Sequence, residues 1–134
     1  MAKSYICPHC KGHLMIDKDI IFLTKTKNGE SALVLVSPEI GDYNYKSHPS
    51  VKFNDGDHVN FICPICYENL DAKEYESKNL AKIYMVDEDG KQHSIVFSKI
   101  KGQKCTYKIS DDNFEAFGKN SGDYMNFFGE NSMF

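Results

Sequence analysis

The sequence predicts a mainly β protein with minor α: two tandem units, each a cysteine knuckle followed by a β-hairpin, and a short helical C-terminal element. Three observations predict it. A ten-residue motif occurs twice, as YICPHCKGHL at 5–14 and FICPICYENL at 61–70, at an offset of 56. Each copy is followed by two apolar runs around a turn dipeptide, Asn28-Gly29 or Asp89-Gly90. The last segment opens with SDDNFEAF, a helix-capping pattern.

The first unit starts at the knuckle Cys7-Pro8-His9-Cys10. Cys-x-x-Cys lets two thiolates converge through a tight turn, and Pro fixes φ after the first Cys. IIFL (20–23) and ALVLV (32–36) are short, β-branched runs, and Asn-Gly between them favours a hairpin turn. Residues 41–58 are rich in Gly, Pro, Asn and Ser and read as a loop holding a short strand around 51–53.

The second unit repeats this order with the knuckle Cys63-Pro64-Ile65-Cys66, then AKIYMV (81–86) and HSIVF (93–97). The turn dipeptides align at an offset of 61, as do residues 37–41 with 98–102, so five extra residues lie between knuckle and hairpin. These fall in LDAKEYESKNL (70–80), where a helical turn or two is expected. The match predicts an internal duplication of about 3–56 and 57–110 within a single domain spanning 1–134. Residues 111–134 form the tail, with Phe114, Phe117, Tyr124, Phe127 and Phe128 on one helical face and Gly118 and Gly122 interrupting it.

Composition narrows the function. The 134 residues are 41% apolar, enough for a packed core without staples. Net charge is −3, and all sixteen basic residues are Lys. No global field attracts nucleic acid or anionic lipid, and the side chain best suited to bidentate phosphate or guanine contacts is missing. No apolar stretch approaches a membrane span, and no apolar segment precedes Cys7 in the manner of a secretory signal. The expected setting is a reducing cytoplasm, where paired cysteines bind metal or do redox work.

Cys-Pro-His-Cys also occurs as a thioredoxin-type dithiol. That fold places the pair after a strand and at the start of a helix; only six residues precede Cys7, and the sequence after Cys10 soon turns strand-like. Two pairs together supply four thiolates, a tetrahedral shell that suits zinc and also mononuclear iron. Both motifs resemble the CPxCGxxL knuckle of zinc-ribbon and rubredoxin-like proteins over about ten residues each. The resemblance implies one ion held by Cys7, Cys10, Cys63 and Cys66, zinc first and iron as the alternative. Two departures stand out. Lys11 and Tyr67 replace the usual Gly, and 52 residues separate the pairs, a longer spacer than compact ribbons use.

Other candidates surround this set. In a two-ion arrangement each pair would recruit His9, His13 or Cys105, although Asn69 stands at the position matching His13. Cys105 alone reads as a small buried hydrophobe. Lys99, Lys101, Lys104 and Lys108 with Tyr107 form a basic, aromatic stripe for a nucleic acid or partner, or an edge strand guarded by lysines. No catalytic constellation or phosphate-binding glycine loop is present, and a four-thiolate shell leaves no open position for water. The sequence thus predicts a non-enzymatic, metal-binding module, most naturally for a protein partner. A nucleic-acid-binding ribbon and a thiol redox protein using CPHC are the alternatives.

Overall fold

The computed structural model describes residues 4–73, 75, 79–110, 113–120 and 122. They form ten strands: β1 (Ser4–Ile6), β2 (Met15–Ile16), β3 (Asp19–Lys25), β4 (Ser31–Val36), β5 (Tyr45–Ser47), β6 (Asn60–Ile62), β7 (Leu80–Val86), β8 (Gln92–Ser98), β9 (Thr106–Ser110) and β10 (Asn113–Phe117). All pairings among them are antiparallel, in two sheets. One runs β1-β7-β8-β9-β10; the other runs β2-β3-β4-β5, with β6 also against β3.

The apolar runs became the two long hairpins, β3–β4 and β7–β8. Their turns share one design. Thr26 exchanges backbone bonds with Gly29 and Glu30, and Asp87 does so with Gly90 and Lys91. Gly29 and Gly90 lie at φ 88° and 84°, whereas Asn28 and Asp89 keep negative φ. Each is therefore a three-residue loop closed by a left-handed glycine, not the two-residue turn that Asn-Gly alone suggests.

Each knuckle strand pairs with the other unit's hairpin. β1 lies on β7, with Ile6 opposite Tyr84, and β6 lies on β3, with Ile62 opposite Leu23. Behind the knuckles, Ile6 bridges His13 and Ile62 bridges Asn69. The outer strands correspond too: Val36 faces Tyr45, and Phe97 faces Thr106.

The core lies between the sheets. Ile20 and Phe22 of β3 meet Ile83, Met85 and Ile95 of β7 and β8, with Tyr5, Leu14 and Leu70 beside them. Phe22, Phe61 and Phe97 pack as a triad, ring centroids 5.1–5.6 Å apart. A smaller cluster gathers Leu80, Val96, Cys105 and Tyr107 under Phe114.

Two expectations change. The tail begins as strand β10, paired with β9 from Asn113 opposite Ser110 to Phe117 opposite Thr106, not as a helix. Phe114 and Phe117 recur at a spacing of three, but the exposed edge of β9 offers five residues' worth of backbone pairing that an isolated short helix lacks. Tyr124, Phe127 and Phe128 lie outside the described residues. The short strand in the connecting loop is at Tyr45–Ser47, where it edges β4, rather than around 51–53. In 70–80, the described residues show Asp71 bridging Ala81 and the Tyr75 N–H donating to the Ala72 carbonyl; residues 74 and 76–78, on which the expected helical turn also falls, lie outside them.

Candidate metal centre

Two turns with matching backbone bonds build the site. In the first knuckle the Cys7 N–H donates to the Gly12 carbonyl, and the Lys11 N–H donates to that of Cys7. In the second, Cys63 donates to Glu68 and Tyr67 donates to Cys63. Leu14 and Leu70 then close on Tyr5 and Phe61. Lys11 and Tyr67 sit at φ 62° and 63°. The left-handed position that usually holds Gly is thus retained with ordinary side chains.

These turns bring Cys7, Cys10, Cys63 and Cys66 together with all four Sγ atoms within 4.8 Å of one another. Cys7 and Cys66 are 3.8 Å apart, as are Cys10 and Cys63. A tetrahedral ion with metal–sulfur bonds of about 2.3 Å has sulfur–sulfur edges of about 3.8 Å. Those two edges, each spanning both knuckles, have that length. The donor set fits zinc, and its chemistry equally fits iron.

Backbone dipoles complete the surroundings. The N–H groups of His9 and Ile65 approach Cys7 and Cys63 Sγ at 3.3 Å, and that of Gly12 approaches Cys10 Sγ at 3.4 Å. Each favours thiolate. Cys7 and Cys63 are fully buried, Cys66 is half-buried and Cys10 is exposed. Burial pushes the free Cys7 and Cys63 thiols up against these donors, while the Gly12 N–H holds Cys10 below its ordinary value.

Further contacts lock the knuckles, and the sequence did not single them out. His9 Nε2 meets the Asn69 carbonyl at 3.0 Å, a bond between the knuckles rather than to the sulfur cluster. A Cβ at Gly12 would lie 2.5 Å from Ile65 Cδ1, the end of an exposed side chain that can turn aside, and 3.2 Å from Cys10 Sγ; the matching position in the second knuckle is Glu68. Lys11 Nζ caps the Pro8 carbonyl at 3.2 Å and lies 4.7 Å above the Tyr84 ring. Neither His13 nor Cys105 joins the cluster among the described residues; Cys105 is 1% exposed in the smaller core cluster.

The basic stripe is dispersed. Lys99 is buried on Asp71 Oδ1 at 2.6 Å, Lys101 meets Asp55 at 3.1 Å, and Lys108 is 3.9 Å from Glu115. Lys104 is exposed, and Tyr107 is fully buried. Among the described residues no helix is long and apolar enough to cross a membrane.

The chain matches no protein-family model, no curated protein and no solved structure. Its likeness to zinc-ribbon knuckles therefore rests on the two cysteine turns. What fold and site define is a mainly β protein with a four-cysteine cluster able to hold one metal ion.

Proposed function

We propose that this protein holds one structural zinc ion at Cys7, Cys10, Cys63 and Cys66, and that it serves as a non-enzymatic binding or scaffolding module for another protein. The observation that carries this is the spacing of four sulfurs drawn equally from two knuckles, at the edge length of a tetrathiolate ion. Free thiols on both pairs are compatible with a reducing compartment such as the cytoplasm. Exposed Ile65 and Tyr67 beside the site give a protein partner apolar contact area.

The two units are one ancestral unit duplicated within a single domain. Supporting this, hairpin, knuckle and outer-strand pairings correspond at offsets of 56 and 61: Thr24 opposite Ala32 with Met85 opposite His93, and Val34 opposite Ser47 with Ile95 opposite Lys108. Each unit lends its knuckle strand to the other's sheet, so the ion fastens an exchange of strands. Iron in the same shell is the alternative ion.

A nucleic-acid ribbon draws less support, because Tyr107 has no exposed face for a base and Lys99 is sequestered by Asp71. A working dithiol is favoured only by the exposure of Cys10 and its lowered pKa.

Metal analysis of protein purified without added metal or chelator tests the proposal. One zinc per chain is expected in the wild type and in Cys105→Ser, with loss in Cys66→Ser. A folded wild type carrying no metal and four titratable thiols at these positions would sink it and return CPHC to redox chemistry.

A further inference from the structure

The segments that close the two hairpins, 37–43 and 98–104, border a cleft of about 500 Å³ between the sheets. Protein interiors leave few voids larger than a water molecule, and small-molecule sites occupy roughly 300–1,000 Å³, so this space is of ligand size. Its walls are apolar: Ile20, Phe22, Val34 and Val36 from one sheet, Ile83 and Ile95 from the other. Three hydroxyls in those walls have protein partners. Tyr5 donates to the Pro38 carbonyl at 2.6 Å, Thr24 donates to that of Ala32 at 2.8 Å, and Tyr43 shares a 3.2 Å bond with Thr106. The body of an occupant would therefore be hydrocarbon.

One lip is different. Lys99, Lys101 and Lys104 line it, with Lys119 close by in the same lining. The Lys99 side chain is 3% exposed, and its ammonium has one partner among the described residues, Asp71 Oδ1. Asp71 thus takes up the Lys99 ammonium, which leaves the charge of this lip to its other lysines. Lys104 and Lys119 have no ion pair among the described residues, whereas Lys101 is engaged by Asp55. Glu39, Asp42 and Asp55 also line the cleft, and their negative charge confines an anionic head group to the lysines that no acid engages.

We propose that this cleft binds an amphipathic carboxylate of the fatty-acid class, its chain between the sheets and its carboxylate on the lysine lip. The lysine stripe then serves a small anion rather than a nucleic acid. This goes beyond the metal reading and does not depend on it.

The test uses the full chain as purified and an undecanoate bearing a dansyl group at its far end, followed by fluorescence and displaced by dodecanoate or dodecanol. One saturable site is expected, with dodecanoate displacing the probe at lower concentration than the alcohol. Lys104→Glu with Lys119→Glu should weaken dodecanoate by about fivefold to tenfold, as expected for two surface charge contacts. Both residues are exposed, so the unfolding midpoint should hold. Val36→Phe, which narrows the cleft, should weaken both ligands. Lys108→Glu lies outside the cleft and should change neither. Absence of saturable binding overturns the proposal. So does equal binding of acid and alcohol, or a Lys108→Glu effect as large as that of the lip variants.

Discussion

At the scale of single residues, the knuckles carry strain that their chemistry does not require. A non-glycine residue in the left-handed region costs about 1–2 kcal/mol, partly offset in any exchange by the greater freedom of unfolded Gly. Tyr67 is 71% exposed at φ 63°, so Tyr67→Gly should raise stability in urea unfolding by about 0.5–1 kcal/mol. Lys11→Gly should gain less, because Lys11 also holds the Pro8 carbonyl and the Tyr84 ring. A different residue pair sets a pH response. Asp87 is held below the ordinary carboxylate range first by the His93 ring at 3.0 Å and then by the Lys91 N–H. Its depressed pKa means the folded state favours the carboxylate. That stabilisation is present above the ordinary value of 3.8 and is lost as pH falls through the lowered folded value. Thermal midpoints taken downward from that pH should therefore drop more steeply in the wild type than in Asp87→Asn. Equal slopes would remove the Asp87–His93 bond from the account.

At the scale of elements, backbone room decides which glycines matter. A side chain at Gly118, φ 97°, would run into the Lys104 carbonyl and the Tyr43 hydroxyl, while one at Gly29, φ 88°, meets nothing. Gly29→Ala should thus cost only its backbone strain, about 1 kcal/mol. Gly118→Ala should cost several times that and expose the amides of β10 to hydrogen exchange before those of β8. The hairpins were legible because alternation, β-branched runs and turn glycines are local signals, and Ile20, Phe22 and Val34 fall on the buried face as period two requires. β10 was not legible for the same local reason: SDDN is a helix-capping pattern, and nothing in SDDNFEAF itself reveals that the edge of β9 away from β8 is open to it. Exchange of the knuckle strands was not legible at all. The pairing of Ile6 with Tyr84 joins residues far apart in sequence, and no local pattern marks one as the partner of the other.

At the scale of the whole molecule, the site was the most legible feature and the cleft the least. Four cysteines in a doubled motif name their own cluster, whereas the cleft is assembled from wall residues that read as ordinary core and from lysines that read as an edge guard. If one ion fastens both exchanged strands, its removal loosens both sheets together. Chelation should then lower the thermal midpoint by on the order of 10 °C or more, given that structural zinc contributes about 10 kcal/mol in small domains. A midpoint indifferent to chelator would confine the ion, if bound, to a local role. The most direct measurement is X-ray absorption at the metal edge of the protein as purified. The account predicts four sulfur scatterers at about 2.3 Å around a single zinc. A shell of two sulfurs completed by nitrogen or oxygen would contradict it, because each cysteine pair would then hold an ion of its own.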